Sequence, residues 1–166
     1  AEDWHIESEH IAVLGFSAGG HLAASLGTFW QRRDLTFSDS CRPDAVVLCY
    51  PVITAGEFAH QESIANVSGG DPALRELLSL EKHVTEQMPP TFLWHCVGDE
   101  SVPVENSLLL TRAMQRAGID YECHLFAGGA HGISMCNQEV ETPQPEAAAW
   151  VGLCKTWLNR QFDFVP

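Results

Sequence analysis

The chain has 166 residues, 45% of them hydrophobic and 19% charged, with 22 Asp and Glu against 9 Lys and Arg and a formal net charge of −13. That composition is globular and predicts one domain. Nine scattered cations are too few to track a phosphate backbone or hold to an anionic bilayer, so neither a nucleic acid nor a membrane is expected as a partner.

The opening AEDWHIESEH has neither the basic nor the apolar segment of a signal peptide, so a cytoplasmic setting is expected. It also begins without Met, which suggests a piece of something longer. Residues 11–14, Ile-Ala-Val-Leu, form a continuous apolar run, the mark of a strand buried on both faces. Residues 15–20 break it with glycines. Residues 21–30 then show helical spacing through Leu22, Ala23, Leu26 and Phe29, and a polar connection over 32–42 follows. Residues 45–50 are a second buried-strand run, closed by Pro51.

Residues 54–71 look irregular. Asp71-Pro72 is an N-cap followed by proline at the first helical position, and predicts a helix that Leu74, Leu77 and Leu78 continue and Met88-Pro89-Pro90 stops. Residues 91–97 form a third strand, and 103–117 an amphipathic helix with Val104, Leu108, Met114 and Ala117 among its apolar positions. Gly118 is its expected C-cap. Residues 121–126 alternate as a fourth strand, a polar stretch covers 138–146, and a last helix covers 147–162. Strands alternating with helices four times predict an α/β fold, a mostly parallel sheet with helices on both faces. Ligands bind at the carboxyl ends of such strands.

Three of those ends carry chemistry. Gly15-Phe16-Ser17-Ala18-Gly19 fits G-x-S-x-G directly between a strand and a helix, the setting of a nucleophile elbow. Small residues at Gly15 and Gly19 would let strand and helix approach. The alternative is a serine that only caps the helix. A nucleophilic serine needs a base, and the base needs an orienting carboxylate. Asp99 follows the third strand and His131 the fourth, in the chain order this sheet type requires. Glu100 is the rival orienter. His95 and His124 lie within strands and read as core or lining groups. His21 reads as helix packing. The Ala18 N–H, at the helix start, could face an oxyanion. Phe16 is a candidate wall of the acyl pocket or a packing residue. Gly129, among the glycines that leave room beside His131, is the other substrate-binding candidate. The six cysteines, Cys41, Cys49, Cys96, Cys123, Cys136 and Cys154, contain no C-x-x-C pair. They predict buried thiols, and neither a disulfide framework nor a metal site. No cofactor is expected.

Together these stretches, with Cys49-Tyr50-Pro51-Val52-Ile53, Trp94-His95-Cys96-Val97-Gly98-Asp99-Glu100-Ser101-Val102-Pro103 and Ala127-Gly128-Gly129-Ala130-His131-Gly132, resemble the α/β-hydrolase family. The likeness is greatest to bacterial acetyl-esterase and acetyl-xylan-esterase-like enzymes, near the hormone-sensitive-lipase-like group. It implies a serine carboxylic-ester hydrolase acting on a small-molecule ester with a short acyl group, with Ser17, His131 and Asp99 as its triad. Family members carry further strands and an H-G-G-type oxyanion loop ahead of the elbow. Here only residues 1–16 precede Ser17, and Asp3-Trp4-His5-Ile6 resembles the link into the elbow strand. The resemblance therefore implies that 1–166 is a single but incomplete domain. Its exposed edge over 11–14 is then expected to pair with a second copy, making a homo-oligomer, or with another segment. Two rival readings are a prolyl-oligopeptidase-like peptidase, which shares fold and triad order, and a catalytically silent interaction module.

Overall fold

Apolar runs too short for helices pair side by side because their backbone groups must be satisfied within the core. The computed structural model of the chain describes residues 6–35, 41–138, 140 and 143–163. Its four strands are β1 (Ala12–Phe16), β2 (Ala45–Cys49), β3 (Thr91–Cys96) and β4 (Tyr121–Phe126). They form one sheet in the order β1-β2-β3-β4, parallel throughout. Leu14 stands beside Val47, Leu48 beside Leu93, and Leu93 beside Cys123. Residues 3–5 of the resembled link, 36–40 of the polar connection, and 139, 141 and 142 of the later polar stretch lie outside the described residues.

Stepping one way across a parallel sheet, with crossovers of one hand, sets every connecting helix on the same face. Helices α1 (Ala18–Phe29) and α4 (Glu105–Ala117) accordingly share a core cluster. Ala23, Ala24 and Phe29 from α1, Val46 and Leu48 from β2, Leu93 from β3, and Leu110 and Met114 from α4 meet there. Between β2 and β3 the chain forms α2 (Gln61–Ser68), α3 (Pro72–Leu77) and a single 3-10 turn (Leu80–Lys82). The opposite face is closed by α5 (Pro145–Ala148) and α6 (Trp150–Gln161). Val47, Cys49, Phe92, Trp94 and Cys96 pack there on Trp150, Cys154 and Trp157. The Trp94 and Trp150 rings stack at 5.4 Å. Each fully buried large apolar side chain contributes about 1.5–3 kcal/mol, so both layers are needed.

The predicted parallel α/β layout is the one observed, with local differences. Helix α1 begins at Ala18 and not at 21, because Gly19 and Gly20 enter its first turn. Residues 54–71, read as irregular, contain α2. The buried stripe of α4 is Asn106, Ser107, Leu110 and Met114, and Leu108 is exposed. The last predicted helix is two helices, broken at Ala149. Asp71 caps α3 by accepting from the Ala73 and Leu74 N–H groups, and Gly118 ends α4 at φ 72°, both as predicted, but α3 ends at Leu77 and a 3-10 turn follows, well before Met88. Strand β1 has no neighbour on its outer side among the described residues, and its Leu14 is 47% exposed, so it is not the strand buried on both faces that its apolar run predicts. Among the described residues no helix is long and apolar enough to cross a membrane.

Candidate active site

The parallel sheet brings the carboxyl ends of β1, β3 and β4 to one edge, and Ser17, Asp99 and His131 each follow one of them. Ser17 sits between β1 and α1 at φ 54° and ψ −121°, a conformation costly for a residue with a Cβ. Neighbouring backbone holds it there. The Ser17 N–H donates to the Cys49 carbonyl at 3.0 Å, and the Ser17 carbonyl accepts from Val52 N–H at 3.1 Å and His21 N–H at 3.3 Å. A Cβ on Gly15 would lie 2.1 Å from the Gly19 carbonyl oxygen, so strand and helix can meet this closely only with glycine there. Gly19 differs from expectation, since a Cβ on it would meet nothing within 4 Å. The second position under pressure is Gly20, whose Cβ would lie 2.7 Å from the Pro51 Cβ.

The Ser17 side chain makes no capping bond to α1. Its Oγ lies 2.7 Å from His131 Nε2, and His131 Nδ1 lies 2.7 Å from Asp99 Oδ2. A carboxylate can only accept, so Nδ1 carries the hydrogen and Nε2 is left to accept the Ser17 hydroxyl. The Asp99 side chain is fully buried, and that of His131 is 21% exposed. Four donors meet the carboxylate: Oδ1 accepts from Ser101 and Val102 N–H at 3.0 and 2.9 Å, and Oδ2 from His131 and from His95 Nε2 at 3.3 Å. Burial pushes the Asp99 pKa up, but the bonds from His131, His95 and Val102 outweigh it and hold the group well below the usual carboxylate range. Glu100 is exposed and is not the carboxylate on His131.

The loop after β4 is pinned from below. The Tyr50 hydroxyl accepts from Ser134 N–H at 2.9 Å, and the Trp150 indole N–H donates to the Ser134 carbonyl at 3.1 Å. Tyr50 adopts φ 38°, and its ring lies 5.1 Å from the His131 ring. Burial pushes its phenol up to about 12, so it stays protonated. Gly129, at φ 82°, lines a polar cleft of about 360 Å³ with His131, Gly98, Glu100 and Ser101. A Cβ on Gly129 would lie 2.4 Å from Cys96 Sγ. The Phe16 ring packs on Tyr50 at 5.7 Å and Trp150 at 6.1 Å. Ala18 opens α1, where the first N–H groups have no partner within the helix. Ala18 also borders an apolar cavity of about 520 Å³ between α1 and α2, with Val52, Ile64 and Leu78 in its wall.

Of the remaining histidines, His21 is buried against the Leu78 carbonyl at 2.9 Å, and His124 meets Glu122 at 2.9 Å. Burial pushes the Cys96 and Cys136 thiols up to about 11, which leaves them un-ionised. Among the described residues no group of three His, Cys, Asp or Glu side chains stands close enough to hold a metal ion. Sequence reasoning missed two supports, His95 and Tyr50. Tyr50 had a signal, since it lies at the carboxyl end of a central strand.

The chain is 37% identical over 145 residues to endo-1,4-beta-xylanase B of Butyrivibrio fibrisolvens, across 84% of this chain and 23% of that protein. It is 31% identical over 140 residues to the acetylxylan esterase of Xylanibacter ruminicola, across 80% of this chain and 28% of that protein. Among solved structures, the acetyl ester-xyloside bifunctional hydrolase from Caldicellulosiruptor lactoaceticus superposes with a TM-score of 0.85 at 41% identity, over 99% of this chain and 61% of that one. The chain thus spans about a quarter of the curated relatives it matches. The parallel sheet with helices on both faces matches solved α/β-hydrolase enzymes. The sequence model of BD-FAE matches residues 1–114, well over half the chain and inclusive of Ser17 and Asp99, and the chain belongs to that family.

Proposed function

We propose that this chain carries the catalytic machinery of a serine carboxylic-ester hydrolase for short acyl groups, acetyl esters of carbohydrate foremost. The observation that carries the reading is the 2.7 Å approach of Ser17 Oγ to a His131 whose other nitrogen is held by Asp99. Ser17 Oγ attacks the ester carbonyl while His131 Nε2 takes its proton. The Ala18 N–H donates to the oxyanion, at the positive end of α1. His131 then protonates the departing alcohol, and water, activated by the same nitrogen, releases the acid and restores Ser17. Asp99 keeps the His131 tautomer and offsets the charge of its imidazolium. Phe16 and Gly129 flank the reacting centre as substrate contacts. The acyl class is supported by two similar proteins, one an acetylxylan esterase and the other an acetyl ester-xyloside hydrolase.

The first test is p-nitrophenyl acetate hydrolysis by the protein and by Ser17→Ala. Turnover that disappears in the variant supports the reading, and equal background rates in both overturn it.

The same reading has β1 pair through its open edge with a further strand, from a second copy or another segment. Support comes from Ile11 and Leu14, 42% and 47% exposed at that edge. Light scattering that shows a monomer at every concentration, unchanged by Leu14→Lys, would exclude the homo-oligomer. A cytoplasmic setting accords with the buried thiols Cys49, Cys96, Cys136 and Cys154.

A further inference from the structure

We propose that His95 is a positioning residue for this reaction: its imidazole fixes the Asp99 carboxylate in the orientation from which Asp99 holds His131. The inference rests on the ester-hydrolase reading of the site.

His95 lies near the end of β3, between Trp94 and Cys96, with no exposed surface. An imidazole buried this fully is costly unless both nitrogens find partners. Both do. Nδ1 lies 2.8 Å from Ser107 Oγ, in the first turn of α4. Nε2 lies 2.9 Å from the Val102 carbonyl and 3.3 Å from Asp99 Oδ2. Those two oxygens only accept, so Nε2 carries the hydrogen and Ser107 O–H donates to Nδ1. The Val102 carbonyl and Asp99 therefore select the His95 tautomer, as Asp99 selects that of His131, and the Ser107 hydroxyl completes it.

The shared oxygen matters most. His95 and His131 donate to the same Asp99 Oδ2, from β3 and from the loop after β4. With Ser101 and Val102 N–H on Oδ1, the carboxylate plane is fixed from both sides. The His95 bond to the Val102 carbonyl also closes the 99–102 turn from beneath. An apolar side chain of similar size could fill the volume but could do neither. Without the His95 donor, Oδ2 keeps one imidazole and attracts a proton more strongly. Asp99 then sets a different charge against the His131 imidazolium, which changes the pH profile of turnover.

Two substitutions separate donation from packing. His95→Gln carries an amide N–H near the former Nε2 and keeps the donor to Asp99. His95→Asn carries its amide near the former Nδ1, keeps Ser107 and loses Asp99. For p-nitrophenyl acetate, His95→Asn is expected to lower kcat about tenfold, the worth of one hydrogen bond to a charged group, with KM little changed. Its acidic limb is expected to move from the wild-type position. His95→Gln should recover most of both, and Ser107→Ala should reproduce part of the loss. The far-downfield proton resonance of His131 Nδ1–H supplies a readout that needs no turnover. It should shift in His95→Asn and stay in His95→Gln, with thermal unfolding confirming that each variant folds. Equal losses in Asn and Gln variants, or an unmoved limb and resonance in His95→Asn, would overturn the proposal. If the wild-type protein does not turn over the ester, the hydrolase reading fails by itself, and the resonance still decides the role of His95.

Discussion

The Tyr50 ring meets the His131 imidazole at a 5.1 Å centroid separation and a steep 72°. That places the partly positive edge of one ring toward the face of the other, the favoured aromatic geometry. The Tyr50 hydroxyl reaches past the ring to Ser134 N–H. One side chain thus touches the imidazole and ties the loop that carries it. Tyr50→Phe keeps the ring and leaves the Ser134 N–H short of a partner. The expected cost is about 1–2 kcal/mol in unfolding free energy, with a several-fold fall in kcat. Denaturant unfolding beside p-nitrophenyl acetate kinetics checks it. Unchanged stability would mean that water replaces the phenol without loss.

The elbow glycines give a second expectation, in which neighbours of one type behave differently. Gly15→Ala would drive a Cβ to 2.1 Å from backbone oxygen, and Gly129→Ala to 2.4 Å from Cys96 Sγ at a positive φ. Gly15→Ala is expected to cost about 3 kcal/mol or more, since backbone cannot yield as a side chain does, and Gly129→Ala about 1–3 kcal/mol, since it strains a positive φ and presses on the buried Cys96 side chain. Gly19→Ala meets open space within a helix. It is expected to be neutral or to stabilise by about 0.5–1 kcal/mol. Chemical denaturation of the three variants ranks them, and a costly Gly19→Ala would contradict the geometry.

The same positions show how much of the molecule was legible in its sequence. Unbroken apolar runs marked β1, β2 and β3, of which β2 and β3 are buried throughout and β1 is half exposed along its open edge, and alternation marked the half-buried β4. The Ser17, Asp99 and His131 positions were legible because chain order and strand ends point the same way. The start of α1 was not, since Gly19-Gly20 reads as a breaker although α1 packs too closely on Pro51 for a Cβ at Gly20. Helix α2 was hidden because its cap is His60, whose Nδ1 accepts the Ser63 N–H at 3.3 Å, where Ser, Thr, Asp or Asn is usual. The apolar positions of α4 do not by themselves mark its inward face, because Asn106 and Ser107 are buried for their hydrogen bonds. Asn106 Oδ1 accepts from Ile53 and Thr54 N–H, and the Ser107 hydroxyl donates to His95 Nδ1. Hydrophobic periodicity cannot find a polar residue buried for its partners. His95 escaped for that reason, as its apolar strand neighbours conceal what its nitrogens meet.

His21 sets a pH dependence of known sign. Burial lowers its pKa from the ordinary value, against a smaller upward pull from the Leu78 carbonyl. The unfolded chain therefore binds a proton near pH 6.5 that the folded chain refuses until lower pH. Stability from this group is complete above about pH 6.5 and is lost as the pH falls below it. His83, lowered mainly by burial, adds the same sign. Asp99 acts in a separate window, being lowered, so its contribution is lost only as pH falls below about 4. His21→Gln keeps an amide donor for the Leu78 carbonyl and cannot titrate. Its melting temperature is expected to fall less than that of the wild type between about pH 7 and 5. Parallel curves would show that His21 does not titrate with folding.

The contacts that join Ser17, His131 and Asp99 carry an expectation about additivity. Ser17 Oγ, His131 and Asp99 Oδ2 form one chain of two 2.7 Å bonds. A serine without its base is a poor nucleophile, and a base without its serine has no proton to take. Ser17→Ala and His131→Ala should therefore each remove nearly all turnover, and the double variant should lose no more than either alone. Asp99→Asn puts an amide donor against His131 Nδ1, so Nε2 carries the hydrogen and cannot take the Ser17 proton, and a fall of about 10⁴ in kcat is expected. The Ala18 N–H should survive in all of them, so residual rates should stay above that of buffer. Losses that multiply in the double variant would mean that Ser17 and His131 act through separate routes. The 2.7 Å contact would then be packing, and the ester chemistry would have to lie elsewhere.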